Sequence, residues 1–476
     1  MEPVIGLEVH AQLLTDSKMF CGCSTRYSGA PPNTHCCAVC AGMPGALPVL
    51  NARALDFGIR SALALNCTIA TTSRFDRKNY SYPDVPKGYQ ISQFEEPIGR
   101  RGRLDFSSDG QPVSWGITRL HLEEDTGKTT HTSVAGRDVS LVDYNRSGIP
   151  LMEIVTEPET HAPAEAREFF AALRQILMYL EVNDGNLQEG SMRADVNISL
   201  RQPGGELGPK VEIKNLNSFR AVQRALEYEI DRQNRVLAEG GTIYQETRGW
   251  DERGERTVPQ RTKEYAHDYR YFPEPDLPPL TISESQVESF RASLPELPLA
   301  RSIRFVQAYG LTPYQAHVLT LERATADYFE RAVAVAVASP AGLANWITGD
   351  LARLTHESGA GLQSIPVAAE HVARLVGMVE QSEITGSAGK QVLEAMFTTG
   401  ERPEAVVDRL DLRQMGDAST LEVLATEVLA ENPKLVETYR SGKHNAIQAM
   451  VGKAMAKSKG KANPQKVREI LEVKLQ

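Results

Sequence analysis

Along the first dozen residues, VIGLEVHAQL, apolar and polar positions alternate strictly. Ile5, Leu7, Val9, Ala11 and Leu13 share one side, and Gly6, Glu8, His10 and Gln12 the other. A two-residue period of this kind is that of a half-buried strand. RADVNISL repeats it, with Ala194, Val196, Ile198 and Leu200 inward and Arg193, Asp195, Asn197 and Ser199 outward. In KVEIKN, Glu212 and Lys214 oppose Val211 and Ile213. Two segments break the rule. Along ITRLHLEED, Glu124 has the parity of Leu120 and Leu122, and along PLMEIVTEP, Glu153 has the parity of Leu151 and Val155. A lone carboxylate on an apolar face is costly unless it meets a cation or a donor, so both are candidates for metal binding or acid–base chemistry.

Up to about residue 280 the chain reads as strands separated by Gly/Pro/Asp turns, with clear helical periodicity only at Ala164–Tyr179 and Phe219–Ala238. The prolines of FPEPDLPPL and LPELPL mark a change of regime, after which the period is 3.6 almost throughout. A further break falls at TGERP, residues 399–403. In the last helix Asn463 caps, Pro464 takes the first turn, and Val467, Ile470 and Leu471 form the apolar face. The fold class expected is α+β: an antiparallel sheet domain over 1–294, a helical domain over 295–405 and a small helical tail over 406–476.

Charge changes the picture at the tail. The chain carries −9 overall, yet Arg440–Gln476 holds nine Lys/Arg against two Glu. Lys453, Lys457, Lys459 and Lys461 crowd one join there, as a nucleic-acid contact would require; a solvated terminal helix would read the same way. No apolar run is long enough to span a membrane, and MEPVIGLEVH lacks the basic start and apolar core of a secretory leader. A cytoplasmic location is expected.

Candidate chemistry gathers on the polar faces. Glu8 and His10, about 6.8 Å apart on one strand face, could share an ion, and an oxygen-rich set suits Mg²⁺ bridging to phosphate, although imidazole fits transition metals better. Half-exposed sheets carry charged faces routinely, so each residue alone reads more readily as solvated; their gathering from separate strands is what points to a site. Gly127-Lys128-Thr129 completes the second half of a phosphate-binding loop, but its first glycine is replaced by Leu122. Cys21-x-Cys23 and Cys37-x-x-Cys40 are two close pairs, spaced for a tetrahedral zinc site or left as reduced thiols. Cys36 is left over, and Cys67, within SALALNC, reads as core.

Together the segments IGLEVHAQL, FDRKNYSYPDVPKGYQISQF, LHLEEDTGK, LMEIVTEP, SMRADVNISL, EIKNLNSF, DYRYFPEPDLPPL and GKANPQKVREIL resemble one family, the B subunit of the aspartyl/glutamyl-tRNA amidotransferase. They span nearly the whole chain. The resemblance implies an antiparallel cradle, a helical domain and a tail of the YqeY type that reaches tRNA. It implies a heterotrimer in which the partners are an amidase (glutaminase) and a small linking protein, with an aminoacyl-tRNA synthetase as a further partner. The implied reaction uses ATP to phosphorylate the side-chain carboxylate of Glu-tRNA(Gln) or Asp-tRNA(Asn), after which channelled ammonia displaces phosphate.

By motif match the implied catalytic positions are Glu8, His10, Glu124, Glu153 and Asp195, with Glu8, His10, Glu124 and Glu153 holding Mg²⁺. Lys78 and Lys87 fall where the family lines the ammonia path; Lys128 and Lys214 are the candidates for cofactor phosphate. The cysteines match the zinc-bearing branch. Two rivals remain: a non-catalytic tRNA scaffold, and a free-standing metallohydrolase built on Glu8 and His10, for which no HExxH motif is present.

Overall fold

The computed structural model describes residues 1–159, 161–262, 269–414, 418–458 and 460–475. Its two compact units divide between Leu297 and Pro298. In the first, the alternating segments are strands: β1 (Glu2–Gln12), β2 (Thr68–Ile69), β3 (Thr72–Ser73), β4 (Asp76–Asn79), β5 (Tyr89–Ser92), β6 (Gly99–Ser108), β7 (Gln111–Glu124) and β8 (Lys128–Val134). There follow β9 (Arg137–Asp143), β10 (Pro150–Thr156), β11 (Met192–Arg201), β12 (Val211–Leu216), β13 (Glu246–Asp251), β14 (Arg256–Thr262), β15 (Phe272–Pro273) and β16 (Leu280–Thr281).

One large sheet runs β14-β13-β12-β11-β1-β10-β7-β5-β4-β15, with β6 also on β7 and β2 on β6. Its pairings are antiparallel except β12 with β13, which a helix connects, as a parallel pair requires. The strands β8 and β9 form a separate hairpin, largely exposed.

Among the described residues, three helices cover one face of the sheet. The helices α1 (Ala52–Ala64), α2 (Pro163–Tyr179) and α3 (Phe219–Ala238) bury Phe57, Phe169, Phe170, Leu173, Val222 and Leu226 against Leu7, Val9, Leu120, Leu122, Val196 and Ile213. Each such side chain contributes about 1.5–3 kcal/mol when fully withdrawn from water. The strand faces read from β1, β11 and β12 agree with this core. On β10 the core face is Met152 and Ile154; Glu153, one residue out of phase, therefore points away from the core, not into an apolar layer as the parity of Leu151 and Val155 suggests.

Two further helices of this unit are not among those expected from the sequence. One is α1, where eight of thirteen residues are buried and Arg53, Asp56 and Arg60 form the polar stripe. Asn51 starts it, its side chain accepting from the N–H groups of Arg53 and Ala54. The other is α4 (Glu284–Ser293), which buries no residue fully.

The second unit is helical among its described residues. One core runs from Phe305 to Val407 and a second, smaller one from Leu421 to Leu475. The last helix, Pro464–Leu475, buries Val467 and Leu471, and the Asn463 side-chain oxygen accepts from the N–H groups of Gln465 and Lys466. Among the described residues no helix is long and apolar enough to cross a membrane.

Candidate functional site: a carboxylate–imidazole cluster in the cradle

The face of the sheet left bare by helices carries a cavity of about 560 Å³. Register builds its floor. His10 on β1 lies opposite Arg193 on β11 and opposite Glu153 on β10, and Glu153 lies opposite His121 on β7. Four charged or polar side chains thus form one row across four strands. Glu123, two residues beyond His121, adds a second carboxylate on the same face.

Distances are short. Glu153 Oε2 is 3.4 Å from His10 Nε2 and 3.5 Å from His121 Nε2, and Glu123 Oε2 is 3.6 Å from His121 Nε2. Ser92 donates its hydroxyl to Glu123 at 3.1 Å. Lys78 spans the cluster with its ammonium 5.1 Å from the Tyr269 ring and 5.8 Å from that of Tyr80.

These groups set one another's ionisation. Burial opposes the charge of Glu153, but His121, His10 and Lys78 outweigh it and hold the carboxyl well below the carboxylate range. Glu123 is likewise held low against burial, by His121 and Lys78. Burial disfavours charge on His10 and Lys78, yet the carboxylates raise both: Glu153 acts on His10, and Glu123, with Tyr271 and Glu153, on Lys78. Two buried anions kept ionised, with one ligand atom each of His10, Glu123 and Glu153 within 4.8 Å of one another, could hold a divalent cation. The buried Nδ1 atoms of His10 and His121 have no hydrogen-bond partner among the described residues, which fits a site completed by something other than protein.

The set expected from sequence is Glu8, His10, Glu124 and Glu153, and the structure changes it. Glu8 lines the cavity, but its carboxylate accepts from Asn197 at 2.8 Å and lies outside the three-residue group. Glu124 faces the opposite way. It follows Leu120 and Leu122 onto the core side of β7, where it pairs with Lys87 and accepts from the Ile91 N–H at 2.9 Å. Glu123 takes its place in the cluster. Sequence reasoning singles out neither Glu123 nor His121, although their shared parity, opposite to Leu120 and Leu122, carries the signal.

A second charged pole lies on β11 and β12. Lys214 is 2.7 Å from Asp195 and 3.0 Å from Glu212, which together raise its affinity for a proton against the effect of burial. On the cavity wall Phe94 and Tyr271 stack at 4.0 Å. Lys128 stands outside the lining, exposed at the start of the β8–β9 hairpin. Residues 127–129 enter a strand, not a helix, so they cannot act as a phosphate-binding loop, which needs a helix N-terminus.

Lys78 and Lys87 occupy different sides of the sheet edge: Lys78 lines the cavity, and Lys87 is buried against Glu124 on the far side. The sulfurs of Cys21, Cys23, Cys37 and Cys40 lie within 4.8 Å of one another. Cys40 is the thiolate of the group, pulled down to about 4 by the Cys21 thiol against burial, with the Cys37 N–H and Lys18 assisting. Four soft donors at this spacing fit Zn²⁺. Cys36 stands beside them without joining the group, and Cys67 is buried in the core.

In the tail, Lys453 is exposed, Lys457 pairs with Glu427 and Glu431 at 2.7 and 2.6 Å, and Lys461 pairs with Asp411. Lys459 lies outside the described residues.

Residues 3–288 match the family model described as the GatB/GatE catalytic domain, and residues 327–475 the one described as the GatB domain. The B subunit of the aspartyl/glutamyl-tRNA(Asn/Gln) amidotransferase of Thermoanaerobacter sp. (strain X514) is 50% identical over 475 residues, covering 100% of this chain and 99% of that protein. The protein of the same name from Thermomicrobium roseum is 52% identical over 476 residues, with 100% and 99% covered. Matched from end to end at this level, the chain belongs to the family of the B subunits of aspartyl/glutamyl-tRNA(Asn/Gln) amidotransferases.

Proposed function

We propose that this chain is the tRNA-binding, amidating member of a glutamine-dependent ligase that works as a complex of several subunits. It converts Glu-tRNA(Gln) or Asp-tRNA(Asn) to Gln-tRNA(Gln) or Asn-tRNA(Asn). An oxygen of the side-chain carboxylate attacks the γ-phosphorus of ATP and ADP leaves. Ammonia then attacks the acyl carbon, phosphate leaves, and the amide is formed. A free carboxylate is a poor acylating agent because oxide is a poor leaving group; the acyl phosphate removes that obstacle.

The observation that carries this reading is the buried cluster of His10, Glu123 and Glu153 at the floor of the cavity, in a chain of this family. Phosphoryl transfer asks the protein for positioning and charge neutralisation more than covalent help. A divalent ion held by His10, Glu123 and Glu153 would supply part of that neutralisation. Lys78 adds a fixed positive charge beside both carboxylates, and His121 holds Glu123 and Glu153 apart and oriented. Lys214, buttressed by Asp195 and Glu212, offers a second cation for phosphate oxygens. On the far side of the sheet Lys87 and Glu124 form the wall of the ammonia route, dry enough to keep water from the acyl phosphate. The amidase (glutaminase) partner is the ammonia source and the small linking protein joins the two; the tail from about residue 406 contacts tRNA. Zinc on the four cysteines is structural.

The test is to trap phosphorylated aminoacyl-tRNA on the purified complex with ATP while ammonia is withheld. Glu123→Gln should abolish the trapped species, whereas Glu124→Gln should keep it and lose glutamine-driven amidation. A wild-type complex that binds charged tRNA and ATP yet never forms the intermediate would establish the scaffold reading instead.

A further inference from the structure

We propose that the four-cysteine module positions Lys87 against Glu124, so that metal occupancy of the thiolates governs passage of ammonia past this pair; the inference rests on the reading of Lys87 and Glu124 as the wall of the ammonia route. Two glycines make the connection. Gly42, two residues after Cys40, adopts φ +67°, and a Cβ there would lie 2.5 Å from Lys87 Cγ and 2.9 Å from Lys87 Cα. The cysteine loop therefore touches the Lys87 backbone as closely as a chain can, and only glycine permits it. Gly148, at φ +87°, is the second. A Cβ there would lie 3.4 Å from both Cys40 Cβ and Lys18 Cδ, and 3.9 Å from Glu124 Oε2.

Hydrogen bonds fix both contacts. The Met19 N–H donates to the Gly148 carbonyl at 2.8 Å, and the Gly148 N–H donates to the carbonyl of Asp125, the neighbour of Glu124, at 2.8 Å. Lys18, fully buried, places its ammonium 3.8 Å from Cys40 Sγ and donates to the carbonyls of His35 and Tyr144 at 2.7 and 3.3 Å. Four thiolates on a divalent ion carry a net negative charge that this ammonium offsets. Without the ion, the two thiol pairs are joined by the Cys21–Cys40 contact and by Lys18 in place of four metal–sulfur bonds, and the loop that braces Lys87 is less firmly anchored two residues away. Glu124 then sits buried with the Ile91 N–H as its remaining side-chain partner among the described residues.

The experiment uses the whole complex and compares glutamine-supported amidation with amidation by external ammonium, which need not follow the internal route. The variants are Gly42→Ala and Gly42→Val, beside wild type stripped of zinc by chelation and Lys87→Met as the control. Cobalt loading and its thiolate absorption report the metal site, and hydrogen exchange at the Ile91 amide reports the Glu124 contact. The Gly42 variants should keep a normal cobalt spectrum while their glutamine-to-ammonium ratio falls about tenfold and Ile91 exchange quickens. Chelated wild type should show the same two changes. An unchanged ratio and unchanged Ile91 exchange in both, with Lys87→Met lowering the ratio, would overturn the role of the cysteine module alone. An unchanged ratio in Lys87→Met would overturn the ammonia-route reading and this inference with it.

Discussion

Replacing Lys87 by Met tests the pairing on the core side of β7 through stability. The side chains of Lys87 and Glu124 are 9% and 6% exposed, so water cannot replace the lost ammonium. Glu124 would keep the Ile91 N–H at 2.9 Å and no cation. Breaking one partner out of a buried pair costs about 3–5 kcal/mol, whereas removing both charges is close to neutral. The double variant Lys87→Met/Glu124→Gln retains a carbonyl acceptor for Ile91 and should regain most of the loss. The chain's three tryptophans allow the unit to be watched separately, since Trp115 and Trp250 are buried in the first unit and Trp346 lies in the second. In a Trp346→Phe background, urea unfolding followed by fluorescence should show the single variant's midpoint lowered by roughly 1 M or more, at a slope of about 3 kcal/mol/M. A double variant as unstable as the single one, or a single loss below about 1 kcal/mol, would refute the argument.

Truncation after Leu410 should weaken tRNA binding and flatten its salt dependence; Lys453→Ala should lower the slope of log affinity against log salt by about one, and Lys457→Ala by less, because Lys457 is already engaged by Glu427 and Glu431. Filter binding over a salt series decides it, and equal slopes for both variants would contradict the assignment. In the helical unit, burial works against the charge of Glu330, but Arg304 and Arg301 hold its carboxyl below the ordinary value. A folded-state value lower than the unfolded one gives stability that is complete above about pH 4.3 and lost as pH falls through the folded value. Glu330→Gln should therefore lower the melting temperature of this unit at pH 7, with the difference from wild type shrinking below about pH 4.3; calorimetry showing the same gap at pH 3.5 would count against it.

The sheet is legible in the sequence where alternation is unbroken. The faces of β1, β11 and β12 follow from Leu7, Val9, Val196, Ile198 and Ile213, because each of those strands has one helix-covered side. The site is legible only in part. His10 and Glu153 stand out, but parity assigns Glu153 to the wrong layer, since Leu151 is buried on the polar face and imitates a core position. Of the adjacent acids on β7 the apparent misfit, Glu124, draws attention, while Glu123, which keeps the polar parity, is the one beside His10. No local pattern announces that Lys87 neutralises Glu124 or that Gly42 rests on Lys87; those contacts arise from register between strands and from a loop crossing.

Adjacent residues on one strand look to opposite sides, and here both are acids. Glu123 faces the cavity and Glu124 the Lys87 side, so β7 acts as a partition whose two surfaces are addressed by consecutive codons. Deleting a single residue within the strand would exchange them, sending a carboxylate of the cavity floor into hydrocarbon and stranding a lysine. Length variation in this protein should accordingly be confined to the hairpin tips, and the partition itself passed on without gaps.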